Sequence, residues 1–266
     1  MSSLELRRLL ERRGLTTVAG AFALEAAEDL GKPGLGHRRR SRVALSDGEG
    51  GSTAVYLKRY DREPLAAAVR RWIAYGPGCG PAGVEARNIE LARAAGLTDM
   101  EVLAWGQEGP ACWPARSFLV VSEVAGQSLE RCGQGLARQL DQPAIRALLT
   151  EGLADLVARL HRAGYVHRDL YACHIFFMQR GDSGDRLSLI DLARMFRPRC
   201  RAFRWQVKDL AQLRYSMPPA WVAGCWEEFL RAYLRRRGGG EEGRYNRAIA
   251  RKAAAMARRA RRREPP

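Results

Sequence analysis

The string His167-Arg-Asp-Leu-Tyr-Ala-Cys-His174 follows an amphipathic segment and precedes a short apolar run, so Asp169 is expected on a loop. A second carboxylate, Asp191, comes twenty-two residues later at the end of the apolar stretch Leu189-Ile-Asp-Leu192. A β-hairpin between the two would bring both carboxylates to one cleft edge. That pairing suits phosphoryl transfer: one carboxylate accepts the proton of an attacking hydroxyl, and the other holds Mg²⁺ on the phosphates of ATP. No G-x-x-x-x-G-K-[ST] string occurs, which argues against the P-loop class.

The elements that must position these groups are legible from periodicity. Ile145, Leu148, Leu149, Leu153, Leu156, Val157 and Leu160 recur at three- and four-residue steps and predict a helix with one buried stripe, stopped at Gly164. Short strands are expected around residues 175–178 and 187–190, bracketing the turn Arg180-Gly-Asp-Ser-Gly184. Upstream, Arg42-Val-Ala-Leu45 and Ala54-Val-Tyr-Leu-Lys-Arg59 read as a hairpin with Gly48-Glu-Gly-Gly51 at its tip. Residues 81–96 read as a helix closing at Gly96, and Ser117-Phe-Leu-Val-Val-Ser122 as an apolar strand running into a linker near Glu123. Of the 45 basic residues only Lys32, Lys58, Lys208 and Lys252 are lysines. A lysine kept in the apolar strand, Lys58, suggests that a compact ammonium is wanted where arginine's planar fork would not serve.

The order is a strand-rich first half and a mostly helical second half, a two-lobed α+β architecture. The expected divisions are residues 1–122 as an N-terminal lobe on the ATP-phosphate side, 123–237 as a C-terminal catalytic lobe, and 238–266 as a basic Arg/Ala-rich tail.

His167-Arg-Asp169 and Asp191 resemble the catalytic loop and metal-binding aspartate of protein kinases. The longer string Leu160-His-Arg-Ala-Gly-Tyr-Val-His-Arg-Asp-Leu-Tyr-Ala-Cys-His174, with Leu189-Ile-Asp-Leu-Ala-Arg194 and Arg204-Trp-Gln-Val-Lys-Asp-Leu-Ala-Gln-Leu-Arg-Tyr-Ser216, resembles the lipopolysaccharide core kinase family of the Kdo/WaaP type. The resemblance implies a protein-kinase-like fold and an ATP- and Mg²⁺-dependent kinase acting on a heptose or Kdo hydroxyl of the lipopolysaccharide inner core. Asp169 would be the catalytic base, His167 a plug beneath its loop and Arg168 a cation beside it. Lys58 would contact the ATP phosphates and pair with Glu85, with Glu90 as competitor. Glu123 and Val124 would form the hinge whose backbone meets adenine, and Gly34 and Gly36 the phosphate-covering loop. Asp191 would hold the metal, and Asp209 would brace the catalytic loop from below. His174 stands where protein kinases carry a metal-binding asparagine; imidazole is a poor ligand for Mg²⁺, so ligand and hydrogen-bond donor both stay open. Leu-Ala after Asp191, in place of Phe-Gly, implies a constitutive enzyme.

The formal charge of +16 calls for a polyanionic partner. Within residues 244–263 Tyr245 is the only aromatic among the arginines, which argues against nucleic acid and leaves a solvated, frayed helix or one resting on anionic lipid. The amino terminus, residues 1–13, reads as an amphipathic helix and not an export signal, and no apolar run reaches the roughly 20 residues of a membrane span. The expected location is the cytoplasm, with peripheral contact at the inner face of the inner membrane. The six cysteines form no C-x-x-C pair and read as free, mostly buried thiols, Cys173 among them. His161 reads as structural. Rival readings are a kinase-like phosphotransferase for another small molecule or for protein, and a non-catalytic basic scaffold at the membrane.

Overall fold

The computed structural model describes residues 3–25, 28–30, 37–46, 52–179 and 184–262. The chain forms two compact units, Met1–Arg93 with Met100–Glu123, and Ala94–Asp99 with Val124–Pro266. The first is strand-rich and the second mostly helical, as the α+β reading expects.

The first unit opens with helices α1 (Ser3–Arg12) and α2 (Val18–Ala23), the latter N-capped by the Thr17 hydroxyl, which accepts from the Gly20 amide. Strands β1 (Glu28–Asp29), β2 (Arg38–Ser46) and β3 (Ser52–Asp61) precede helices α3 (Leu65–Tyr75) and α4 (Pro81–Ala94). Strands β4 (Val102–Glu108) and β5 (Arg116–Ser122) complete an antiparallel sheet in the order β1-β2-β3-β5-β4. The predicted hairpin is the β2–β3 pair, running from Arg38 opposite Tyr60 to Ser46 opposite Ser52; its tip lies outside the described residues.

Alternation along β3 decides what each face does. Val55 and Leu57 join Leu9, Leu10, Leu15, Val43, Leu45, Phe118 and Val120 in the core. Tyr56, Lys58 and Tyr60 fall on the opposite face and carry the polar chemistry described below.

In the second unit, β6 (Gln127–Ser128), β7 (Ile175–Met178) and β8 (Arg186–Leu189) form a small antiparallel sheet. Helices α5 (Leu129–Ala137), α6 (Pro143–Ala147) and α7 (Leu153–Arg162) precede β7, and α8 (Ala202–Ser216), α9 (Pro219–Arg237) and α10 (Glu242–Arg261) follow β8. The single helix expected from the stripe at 145–160 contains a π-turn at Leu148–Gly152 between α6 and α7. Residues 94–99 belong to this unit because the Leu97 carbonyl accepts from the Leu189 amide at 2.9 Å, the Thr98 hydroxyl donates to the Leu189 carbonyl at 2.6 Å, and Arg159 donates to the Ala95 and Gly96 carbonyls.

The arginine-rich tail is not frayed up to Arg261: Tyr245 and Ile249 are buried, and the Tyr245 hydroxyl bonds Gln206 at 3.1 Å. The cysteines also differ from expectation, since only Cys225 is buried and Cys200 is exposed.

Candidate active site

Two constellations carry the predicted residues, one in each unit. In the first, Lys58 donates to the Glu85 carboxylate, and the Tyr60 hydroxyl donates to the other oxygen of the same group. Glu85 is wholly buried on α4, so two donors from one face of β3 meet a carboxylate that water does not reach. Two residues back on that face, the Tyr56 hydroxyl donates to the Glu123 carboxylate at 3.2 Å, and Arg42 Nε donates to it at 3.0 Å. Glu123 ends the first unit and buried Val124 begins the second. Gly34 and Gly36 lie outside the described residues.

In the second unit the loop from His167 to Ala172 is held by one face of α8. Asp209 accepts from the backbone amides of His167, at 2.7 Å, and Arg168, at 2.8 Å. Gln212 Oε1 accepts from the Leu170 amide at 3.3 Å, and Ser216 Oγ from the Ala172 amide at 2.8 Å. Four residues of helix advance about 6 Å and two residues of extended chain about the same, so a helix face can pin alternate loop amides in register. Asp209 is mid-helix, which removes the alternative of a first-turn acid. Behind it, His161 Nε2 donates to Asp209 at 3.3 Å while His161 Nδ1 meets the Tyr233 hydroxyl at 2.8 Å, giving His161 the structural place expected of it.

His167 is completely buried, and its Nε2 donates to the Ile190 carbonyl at 3.0 Å, tying the loop to the chain just before Asp191. Burial pushes its pKa below the ordinary imidazole value. The backbone bridge Val166–Phe196 joins the same two segments. Arg168 and Asp191 both adopt left-handed backbone conformations, φ 72° and 57°, two of only three such non-glycine residues among those described. Conformations of this kind cost about 1–3 kcal/mol each and persist where the surroundings over-determine them.

The cation beside Asp169 is not Arg168. The left-handed turn sends the Arg168 guanidinium over the Phe196 and Trp205 rings, 5.3 and 5.4 Å from their centroids. Asp169 is instead met by Arg194 Nη1, at 2.9 and 3.1 Å from its two oxygens, with Lys208 Nζ at 4.0 Å. Lys208 also donates to the Arg168 carbonyl, and burial lowers its pKa. Sequence reasoning passed over both residues. The lysine scarcity that singled out Lys58 applies equally to Lys208, and Arg194 stands three residues after Asp191.

His174 spans the two carboxylate-bearing segments. Its Nδ1 donates to the Asp169 carbonyl at 2.7 Å, and its Nε2 lies 3.5 Å from Asp191 Oδ2. Burial pulls its pKa down, but the hydrogen bonds that the ring donates to Cys173 and to the Asp169 carbonyl, with the charge of Asp191, outweigh that and raise it to about 9. Cys173 and His174 lie on a 3₁₀ turn, Ala172–His174, and not on a strand, so the two side chains do not take opposite faces and Cys173 is only part-buried.

Among the described residues no group of three or more His, Cys, Asp or Glu forms a metal cage. Mg²⁺ is usually held through one or two carboxylates, with water and substrate phosphates supplying the rest. Asp191, part-exposed beside His174, would be such a carboxylate.

The model of the lipopolysaccharide kinase (Kdo/WaaP) family matches residues 38–233. Lipopolysaccharide core heptose(I) kinase WaaP of Pseudomonas aeruginosa is 34% identical over 157 residues, which are 57% of this chain and 59% of that protein. The Escherichia coli protein of the same name is 30% identical over 161 residues, 58% of this chain and 55% of its own length. The chain thus spans between half and three fifths of these relatives. A solved structure, WaaP in complex with acyl carrier protein, superposes with a TM-score of 0.66 at 27% identity, covering 94% of this chain and 95% of that one. With the family model matching well over half of its length, the chain belongs to the lipopolysaccharide kinase (Kdo/WaaP) family.

Proposed function

We propose that the chain transfers the γ-phosphoryl group of ATP to a sugar hydroxyl of the lipopolysaccharide inner core, with Asp169 as general base. The heptose(I) kinase relatives favour heptose as acceptor, with Kdo the alternative. The observation that carries the reading is the spanning of Asp169 and Asp191 by His174 on a loop whose alternate amides are pinned by α8.

In the proposed reaction the acceptor hydroxyl donates its proton to an Asp169 oxygen as its own oxygen bonds to the γ-phosphorus, and the bond to the bridging oxygen of ADP breaks. Arg194 and Lys208 fix the Asp169 carboxylate, and their charge offsets that of the transferring group. Lys58, oriented by Glu85, holds ATP phosphate oxygens, and the Glu123–Val124 backbone takes the adenine. Asp191 would hold Mg²⁺, which when bound neutralises phosphate charge. His174, with Nδ1 already committed to a carbonyl, orients Asp191 from Nε2 and is assigned no metal bond. Residues 1–122 would form the lobe on the ATP-phosphate side and residues 123–237 the catalytic lobe, with residues 238–266 as a basic tail.

The relative solved with acyl carrier protein suggests an acyl carrier protein as a partner of this chain. Among the described residues no helix is long and apolar enough to cross a membrane.

The test is ATP turnover by purified protein with Mg²⁺, with and without lipopolysaccharide core, against Asp169→Asn. Core-stimulated turnover lost in the variant supports the reading. A folded, ATP-binding protein that ignores core directs the search to another small-molecule or protein acceptor, and one that binds no ATP is a scaffold.

A further inference from the structure

Helix α3 is built inside out. A helix that only needed to fold against its unit would turn its aliphatic residues inward. The buried positions of α3 are instead Ala68 and Arg71. Arg71 is bound in the interior: it donates to the Glu63 carboxylate at 2.8 Å, to the Cys112 carbonyl at 2.6 Å and to the Cys79 carbonyl. Trp72 Nε1 adds a bond to the Cys112 carbonyl at 2.6 Å. The helix is therefore fastened by polar bonds on its inner side, while Leu65, Val69 and Ile73 stand outward at 54, 39 and 69% exposure. They recur at i, i+4 and i+8 and form one stripe. They are also three of the five exposed large hydrophobic residues among those described, the others being Trp105 and Tyr215.

Two features indicate what covers this stripe. The charges that flank it are cationic: exposed Arg62 and Arg70 stand beside it, α3 contains no acid, and the two nearby carboxylates are each paired with an arginine, Glu63 buried on Arg71 and Asp61 3.5 Å from Arg39. The partner must then offer apolar matter beneath anionic groups. The stripe is also short, about 12 Å from Leu65 to Ile73. Three aliphatic side chains fall well below the roughly 800 Å² per partner of a stable protein interface, but suit shallow insertion at the boundary between headgroups and acyl chains, where arginines meet anionic headgroups.

We propose that α3 is a membrane-docking helix, setting Leu65, Val69 and Ile73 into the surface of an anionic lipid leaflet with Arg62 and Arg70 at the headgroups. The inference does not rest on the kinase reading. If both hold, docking brings the enzyme to the surface that carries its acceptor.

The test is sedimentation of the full chain with vesicles of phosphatidylglycerol in phosphatidylcholine, against phosphatidylcholine alone, with neither nucleotide nor core sugar present. The chain is expected to partition onto the anionic vesicles. Val69→Asp/Ile73→Asp should lower the partition coefficient about tenfold or more, and Arg70→Gln several-fold. Arg131→Gln, an exposed arginine on α5, serves as charge control and should leave it within about twofold. Because carboxylates on an exposed face can fray a helix, Val69→Ser/Ile73→Ser is run beside the first pair with circular dichroism of each, and it should also weaken binding. Undiminished partition of both folded double variants overturns the proposal and points to the arginine-rich α10. A failure to bind anionic vesicles overturns it, as does a stripe-dependent doubling of mass by light scattering, which would make a second copy the occupant.

Discussion

The Asp209 carboxylate accepts from two consecutive backbone amides, His167 at 2.7 Å and Arg168 at 2.8 Å, and thereby fixes the residue just before Asp169 in a left-handed turn. A backbone that costs free energy to form needs such an external clamp, and a buried anion is a stronger acceptor than a neutral group. The clamp is itself oriented by His161 and, through it, by Tyr233.

Replacing Asp209 with alanine leaves both amides buried without an acceptor, at about 1–3 kcal/mol each. Asp209→Asn keeps one acceptor oxygen and should cost about half as much. Urea unfolding is expected to rank wild type above asparagine above alanine. Under the proposed function, turnover should fall with the same ranking while ATP affinity changes little. Equal stability of the three proteins would remove Asp209 as the clamp.

Asp169→Asn should lower turnover by about 10²–10⁴-fold, the usual range for loss of a general base, with ATP binding by calorimetry within about twofold. Arg194→Gln removes the group that holds both Asp169 oxygens. Its kcat should fall about tenfold or more with little change in the KM for ATP, since charge offset is felt mainly in the transition state. If Arg194→Gln instead raised the KM for ATP at constant kcat, Arg194 would belong to nucleotide binding.

How far the site was readable follows from the range of the contacts. The loop after α7, the aspartate just past β8 and the lysine in β3 are local patterns of spacing and alternation; the loop and the lysine fall on the elements expected, while β8 stops at Leu189 and leaves Asp191 two residues beyond the strand it was expected to end. The α8 clamp was legible only through Asp209, because Gln212 and Ser216 reach amides more than 40 residues away. Arg168 looked like the partner of Asp169 because it adjoins it; its positive φ, which sequence does not reveal, sends it to Phe196 and Trp205 and leaves Arg194 and Lys208 in that place. Helix α3 carries no inward apolar stripe to find, since its buried side is an alanine and an arginine. The π-turn in the α6–α7 segment adds a residue to a turn without interrupting the hydrophobic pattern.

Tyr233 allows a pH test of the support behind the clamp. Burial raises its pKa well above the ordinary value of 10. As pH rises past about 10 the unfolded chain ionises this phenol while the folded chain keeps its proton, so the stability it contributes is complete below that pH and is lost as pH climbs toward the folded value. Tyr233→Phe should cost about 1 kcal/mol at neutral pH through the lost bond to His161. Above about pH 10 its stability should fall less steeply than that of wild type. Chemical unfolding of both proteins across that range decides it, and parallel curves would mean that Tyr233 titrates normally in the fold.

The Lys58–Glu85 pair separates stability from activity. Glu85 is fully buried and takes its two donors from Lys58 and Tyr60. Lys58→Met leaves the carboxylate with a hydroxyl alone, and breaking a buried pair on one side costs about 3–5 kcal/mol. Removing the second partner as well, in Lys58→Met/Glu85→Leu, should recover much of that loss, because a buried ion pair replaced by apolar groups of similar volume is often neutral or stabilising. Turnover should not recover, since under the proposed function the ammonium that meets the ATP phosphates is gone. Thermal unfolding and ATP turnover measured on the two single variants and the double variant make the comparison. A double variant as unstable as Lys58→Met would mean that the pair is held by more than its own charges; one that regained turnover would take Lys58 out of the catalytic machinery while leaving the buried pair a purely structural one.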